Sequence, residues 1–302
     1  MDRFVSGPVR VEVPATSANL GPGFDALGLA LELRDVLEAQ VVPDGLLIEV
    51  EGFGAEEVPR DESHLVVRAM RAGFEALGVT APGLRLTCHN AIPHARGLGS
   101  SSAAIVGGLA LARALVTDGA ARMDDDALFV LAADHEGHPD NVAPAALGGF
   151  VISGREGDRW YAATAPVDPR VRATAFVPPE PVSTEVARGL LPASIPHAEA
   201  AANAGRAALL VAALGGAPEH LGAATRDFLH QEYRRPAMPD SLDLVDRLRA
   251  LGLAAFVSGA GPTVLVLDAH LDGDALAEHC PTGWAHHRLA VATEGVRARH
   301  LG

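Results

Sequence analysis

The chain contains no lysine: all 24 of its basic residues are arginine. A Walker A loop needs GxxxxGK[ST] and a protein kinase needs a strand lysine, so neither of those ways of handling a nucleotide is open to it. Any phosphate it binds must be held by backbone amides, arginine and metal. Cysteine is almost as scarce. Cys88 and Cys280 lie far apart and form no CxxC unit, which argues against a disulfide scaffold or a thiolate zinc site and leaves both as small hydrophobes expected in the core. Positive charge is in deficit overall, with a formal net charge of −14. Nucleic acids and anionic membranes are held by clustered cations, so neither is an expected partner, whereas a small substrate or nucleotide is compatible. No window approaches roughly 18 uninterrupted apolar residues, and the opening MDRFVSGPVRVEVP has no basic region leading into an apolar run. A membrane span and a signal peptide are not expected, and a cytoplasmic protein is.

What is present is an ordinary globular composition of 302 residues, 48% hydrophobic and 21% charged, sufficient for one large domain or two smaller ones. Residues 9–13 alternate with period two and end at Pro14, which reads as a strand leaving into a loop over 14–24. Strands are expected at 35–42 and 46–51, with Pro43-Asp44-Gly45 as a hairpin turn. A helix capped by Ser63 covers 64–77 and stops at Gly78. A strand at 84–89 feeds a glycine loop and then a nearly all-apolar helix at 101–116, which must be buried. A helix at 124–135 precedes "EGHPDNVAPAALGG", a turn and short helix, and a strand at 150–153. Further strands fit 171–177, 256–257, 264–267 and 287–292, and helices fit 184–191, 198–214, 219–228, 242–251 and 273–279. With no repeat and no long linker, the two halves are expected to pack as an α+β pair sharing a cleft.

Chemistry concentrates in a few segments. In "PHARGLGSSSAA", residues Pro93, His94, Ala95, Arg96, Gly97, Leu98, Gly99, Ser100, Ser101, Ser102 and Ala103 lead into a helix. A helix N-terminus carries about half a positive charge and unpaired N–H groups, glycines allow close approach, and serines add hydroxyls. Read alone, the segment is either an anion cradle or a serine-capped helix. In "DHEGHPDN", His135 and His138 flank Glu136 and invite a zinc reading. The helical zinc motif needs histidines four apart, however, and these are three apart with Pro139 following and no third ligand. A hard Mg²⁺ ion prefers oxygen and takes one or two protein ligands, which suits Glu136 with Ser101. Thr184 and Arg188 are i and i+4 on one helical face. An arginine fork matches a carboxylate, but a lone arginine is as readily a surface residue, and Arg188 and Arg234 are open to either reading.

Three stretches, "VPATSANLGPGFDALGLAL", "PHARGLGSSSAA" and "VSGAGPTVLVL", together resemble the motifs of the galacto-, homoserine, mevalonate and phosphomevalonate (GHMP) kinase superfamily in their order and spacing. "PATSANLGPGFD" and "EGHPDNVAPAALGG" resemble its homoserine kinase branch. The resemblance spans nearly all of the chain and implies a two-lobed α+β fold with an N-terminal lobe over 1–155, a C-terminal lobe over 156–302 and a cleft between them. It implies phosphorylation of the L-homoserine hydroxyl by ATP, with Mg²⁺ bound by Ser101 and Glu136. Asn141 would hold the substrate hydroxyl beside Asp140, itself a candidate base, and Asn19, Asp25, Thr184, Arg188 and Arg234 would bind the rest of homoserine. Asp25 would oppose the ammonium. Ser258, Gly259 and Gly261 would form a turn supporting the phosphate loop and the substrate. Relatives commonly form homodimers, so a homodimer is expected too. One departure stands out: the family's HQPYR is HQEYR here, with Glu232 in place of proline. The rival readings are another GHMP kinase such as a mevalonate-type enzyme, a non-catalytic nucleotide sensor, and, more distantly, a zinc hydrolase.

Overall fold

The computed structural model describes residues 3–271 and 274–302. Strand β1 (Val9–Ala18) does not end at Pro14 but runs through it, antiparallel to β2 (Leu27–Val42). The register shifts between Pro14 and Ala15, so the expected loop is a bulged strand as far as Ala18. A bulge is where a strand tolerates proline's missing N–H. β2 also begins earlier than expected, because the apolar run from Leu27 to Leu31 is buried on both faces. The turn at Pro43-Asp44-Gly45 is not a hairpin. β3 (Leu46–Gly52) crosses over through α1 (Leu65–Ala76) to β4 (Gly83–Asn90), which pairs parallel with β3 and antiparallel with β2, lying between them. Nor does Ser63 cap α1: the cap position is His64, and the Ser63 hydroxyl donates to Asp61.

Helix α2 (Ser100–Leu115) is buried along most of its length, as its composition requires, and packs against β1 and α1. The short α3 (Gly119–Arg122) leads to α4 (Asp125–Glu136), where the Asp124 carboxylate accepts the Ala127 N–H at 2.8 Å and Gly137, at φ 85°, ends the helix. α5 (Pro139–Leu147) starts on a proline, where the missing N–H costs nothing. β5 (Phe150–Glu156) pairs with β2 and with β6 (Arg159–Ala165), a strand without a buried residue that was not expected from the sequence.

The chain then builds a second sheet from β7 (Arg172–Val177). It continues through α6 (Thr184–Gly189) and α7 (His197–Gly215) to α8 (Leu221–Ala224), then α9 (Pro239–Ala250), β8 (Ala254–Val257), β9 (Val264–Asp268) and β10 (Ala285–Ala290). The expected helix at 219–228 is shorter: a 3₁₀ turn at Pro218–His220 and α8 give way at Thr225, after which the Asp227 carboxylate collects the N–H groups of Leu229, His230 and Gln231. A carboxylate that caps three amides replaces the helix's own bonds. The expected helix at 273–279 begins among residues outside the described set, and its described part holds only a 3₁₀ turn at Ala277–His279. β11 (Arg297–His300) returns to pair with β1.

The result is a seven-stranded sheet ordered β11-β1-β2-β4-β3, with β5 and β6 branching from β2, and a four-stranded antiparallel sheet ordered β10-β7-β9-β8. Both β6 and β11, from beyond residue 155, belong to the larger sheet. Cys88 is buried as expected, while Cys280 is partly exposed because it sits on a turn near the surface. Among the described residues no helix is long and apolar enough to cross a membrane.

Candidate active site

A cleft of about 90 Å³ lies where the loop before α2, the first turn of α5, α6 and the β8–β9 turn meet the β1–β2 connection. It is lined by Asn19, Gly97, Gly99, Ser100, Ser101, Glu136, His138, Asp140, Asn141, Thr184, Arg188, Arg234, Gly259 and Gly261, among others. The four sequence segments singled out above thus converge from opposite ends of the chain.

The loop enters α2 through Gly99, at φ 71°, with no side-chain cap on the helix. The first-turn amides are therefore left as donors. The Ser101 and Ser102 hydroxyls both donate to Glu136 Oε1, at 2.9 and 3.0 Å. Ser101 is exposed and Ser102 buried, so only the former presents its oxygen to the cleft beside the carboxylate. This all-oxygen group suits a hard divalent cation that takes its other ligands from phosphate and water. Among the described residues no set of three or more His, Cys, Asp and Glu side chains converges as a metal site, and His135 is exposed outside the cleft. The side chains of Leu98 and Ala103 are in the core, Pro93 is buried, and Arg96 turns away toward the β7–α6 connection. Those four contribute backbone or support rather than lining.

Thr16 Oγ1 donates to Asn141 Oδ1 at 2.8 Å, which leaves the Asn141 amide nitrogen to act as a donor. Nothing in the sequence distinguished Thr16 from its neighbours in "PATSAN". Beside it, His138 Nδ1 lies 3.1 Å from Asp140 Oδ1, a carboxylate only 3% exposed. Burial pulls the His138 pKa down, but its bond to Asp140 and the charges of Asp140 and Glu136 raise it overall.

Asn19 has φ 65° and spends both ends of its amide inside the protein: Nδ2 donates to the Gly259 carbonyl at 2.9 Å and Oδ1 accepts the Asp25 N–H at 3.0 Å. Asp25 and Arg188 form a bidentate pair at 2.6 and 3.0 Å, which raises the Arg188 pKa. Arg234 is 1% exposed and donates to the carbonyls of Ala187 (3.3 Å) and Gly259 (3.0 Å) and to His230 Nδ1 (3.0 Å). Burial, with Arg188 nearby, pushes its pKa down to about 10, so it stays charged at neutral pH. An arginine can only donate, so His230 Nδ1 accepts and Nε2–H donates to the Gly21 carbonyl at 2.8 Å, giving a neutral ring. Burial lowers its pKa in the same direction. Phe24, also missed by the sequence reading, lies under both guanidinium groups, 5.4 Å from Arg188 and 5.7 Å from Arg234.

The β8–β9 turn backs the loop directly. Ser258 Oγ donates to the Gly97 carbonyl at 2.6 Å and is hydrogen-bonded to Ser17 Oγ at 2.8 Å, while Thr263 N–H donates to the Arg96 carbonyl at 3.2 Å. On the far side of Ser100 and Ser101 a second cavity of about 300 Å³ opens, with apolar walls from Leu37, Val58, Pro59, Leu65, Val66 and Ala104. Asp35, His64, Asn90 and His94 supply its polar groups. Burial pushes the Asp35 carboxyl up to about 6 despite the N–H groups of Ala91 and Ile92 on it, and burial lowers the His94 pKa. Residues from three separated stretches form this cavity, and no local pattern announced it.

The GHMP kinases N terminal domain matches residues 64–149 and the GHMP kinases C terminal domain matches 200–282. A homoserine kinase of Streptomyces avermitilis is 54% identical over 97% of this chain and 96% of its own length. One from Mycolicibacterium smegmatis is 48% identical over 94% of this chain and 93% of its own. The crystal structure of homoserine kinase from Cytophaga hutchinsonii superposes with a TM-score of 0.84 at 25% identity, covering 99% of both chains. L. major mevalonate kinase in complex with R-mevalonate shares the fold, with a TM-score of 0.72 at 17% identity over 96% of this chain and 97% of its own.

Proposed function

Because the chain belongs to the homoserine kinases of the GHMP kinase family, we infer that it transfers the γ-phosphoryl group of ATP to the side-chain hydroxyl of L-homoserine, yielding O-phospho-L-homoserine and ADP. The observation that carries the reading is one cleft lined by both a phosphate-type helix entrance and Arg188, whose guanidinium is paired in turn with Asp25. Homoserine is a zwitterion. Its carboxylate takes Arg188 and Arg234 and its ammonium takes Asp25, so each partner of the existing pair exchanges one opposite charge for another. Mevalonate brings a carboxylate but no ammonium, so it would take Arg188 from Asp25 and offer Asp25 no cation in return.

The amides of residues 97–102 cradle the β- and γ-phosphates, and the nucleoside occupies the apolar cavity beside Ser100. Ser101 and Glu136 hold Mg²⁺, which supplies neutralisation of phosphate charge. Asn141, with its oxygen taken by Thr16, donates from its amide nitrogen to the homoserine hydroxyl oxygen and aims it at the γ-phosphorus. The oxygen–phosphorus bond forms as the β–γ bridge breaks, and the hydroxyl proton passes to Asp140, already paired with His138. Phosphoryl transfer asks chiefly for alignment and charge neutralisation, which a chain without lysine can supply in this way. A homodimer and a cytoplasmic setting belong to the same proposal.

The test is ADP release with Mg²⁺-ATP against a panel of L-homoserine, other hydroxylated amino acids and mevalonate. Turnover should require both the α-amino and the carboxylate group. ADP formed with mevalonate but not with homoserine would overturn the substrate assignment.

A further inference from the structure

The side chain of Arg96 leaves the phosphate loop on which it stands. Its Nε donates to the Pro178 carbonyl at 3.1 Å, Nη2 to the Pro179 carbonyl and Nη1 to the His94 carbonyl at 2.8 Å. One residue earlier, the Ala95 carbonyl accepts the Val182 N–H at 3.3 Å. These bonds pin the start of residues 178–196, the strap between β7 and α7 that carries α6 to the cleft. The strap opens Pro178-Pro179-Glu180-Pro181. Proline locks φ, so a segment this stiff passes the placement of its first carbonyls on to the helix that follows.

We propose that Arg96 is a positioning residue for the amino-acid substrate: it clamps the strap to the phosphate loop and so holds Arg188 in place to receive the carboxylate. The inference rests on Arg188 being the carboxylate ligand. α6 has six residues, of which only Ala187 is buried. Four tethers fix it: the Asp25–Arg188 pair, the Arg234 bond to the Ala187 carbonyl, the Val182 N–H bond to the Ala95 carbonyl, and the Arg96 clamp. A zwitterion that claims both Asp25 and Arg188 removes the first of these. Arg234 must then serve the substrate as well as the helix, which leaves the single Val182–Ala95 backbone bond and the Arg96 clamp, of which only the Arg96 clamp is made by a side chain. The carbonyl of the same residue accepts the Thr263 N–H, so Arg96 ties the strap, the phosphate loop and the β8–β9 turn at one point. A planar fork can reach three carbonyls at fixed angles; a point charge cannot.

Arg96→Met keeps the unbranched apolar stem of the side chain and drops its donors. It is expected to raise the KM for homoserine about tenfold while the affinity for a non-hydrolysable ATP analogue, measured by calorimetry without homoserine, stays within about threefold. Arg96→Lys should fall between, about threefold up in homoserine KM. If Arg96 acts through Arg188, the Arg96→Met, Arg188→Leu double variant has a homoserine KM no higher than Arg188→Leu alone. Additive effects in the double variant overturn the proposal, as does an ATP-analogue affinity that falls as far as the homoserine KM rises. Should the methionine variant not fold, the lysine variant decides, and a wild-type homoserine KM there overturns it. An Arg188→Leu variant with wild-type homoserine kinetics overturns the carboxylate assignment and this inference with it, whereas a raised KM in Arg188→Leu beside an unchanged one in Arg96→Met overturns this inference alone.

Discussion

Arg188 and Arg234 share the ring of Phe24 but carry different loads. Arg188 has a side chain 36% exposed and one partner, Asp25; Arg234 is 1% exposed and serves two carbonyls and a neutral histidine. Removing either cation should lower kcat/KM for homoserine at least about 30-fold, because losing one partner of a desolvated charge pair costs about 2–5 kcal/mol. The two leucine variants should differ in stability. Arg188→Leu frees Asp25 to solvent and should melt near the wild type. Arg234→Leu strands His230 Nδ1 in the interior and leaves the Gly259 carbonyl with Asn19 alone, and an unsatisfied buried group costs about 1–3 kcal/mol, so its Tm should drop by several degrees. Equal melting temperatures for the two would show that the buried contacts of Arg234 carry no net stability. Arg188 and Arg234 were singled out only by the resemblance to the family, because a fork that suits a carboxylate is a property of residue type shared by all 24 arginines. What aims each side chain was not legible in the sequence: Asn141 is oriented by Thr16, 125 positions away, and Arg234 by an amide bridge from Asn19 to Gly259 across 240.

The phosphate loop owes its shape to the β8–β9 turn pressed against it. A Cβ placed on Gly97, at φ +77°, would lie 2.3 Å from the Ser258 carbonyl oxygen and 2.9 Å from that of Gly261. Those are backbone atoms and cannot swing aside. Gly97→Ala should therefore part the loop from the turn, breaking the Ser258–Gly97 bond and weakening ATP binding at least about tenfold through strain of roughly 1–3 kcal/mol. Gly45→Ala is the control: at φ +78° it bears the same backbone strain, but nothing lies within 4 Å. Calorimetry with an ATP analogue that finds the two variants alike would remove the steric argument. Elements of this kind were readable where chemistry is local, as in the apolar helix α2 and the Asp124-capped α4. Pairing was not readable. Pro43-Asp44-Gly45 has the composition of a hairpin turn, yet β4 inserts between its two strands, since parallel pairing depends on a crossover far along the chain. The glutamate that replaces proline at 232 likewise finds its meaning only in space. It opens a 3₁₀ turn and pairs with Arg235, which also binds Asp243 and Asp246 on α9.

The two sheets and the cleft are stitched by contacts between the ends of the chain: Ser17 to Ser258, Asn19 to Gly259, and β1 to β11. The last of these was invisible in the sequence, because "RARH" is exposed at every position and has no apolar alternation to announce a strand. Its partner explains it. Val9–Glu12 of β1 pairs residue for residue with 300–297, and Arg297 bonds Glu12 at 2.9 Å. β1 is also the strand from which Thr16, Ser17 and Asn19 reach or follow into the site, so β11 closes the edge of the sheet at the end of β1 remote from the cleft. Deleting residues 296–302 should thus separate stability from catalysis. The loss comprises a few edge hydrogen bonds worth about 1 kcal/mol each and the surface ion pairs of Arg297 with Glu12 and Glu294 and of Arg299 with Glu12, each worth less, with little apolar burial. At about 2–4 °C per kcal/mol for a chain of this size, the Tm should fall by roughly 5–10 °C. At 25 °C, where most of the fold remains, kcat and both KM values should stay within about twofold. A truncated chain that melts as expected but has lost homoserine turnover would mean that β1 transmits its edge to the cleft, and the site would then have to be drawn to include the far end of that strand.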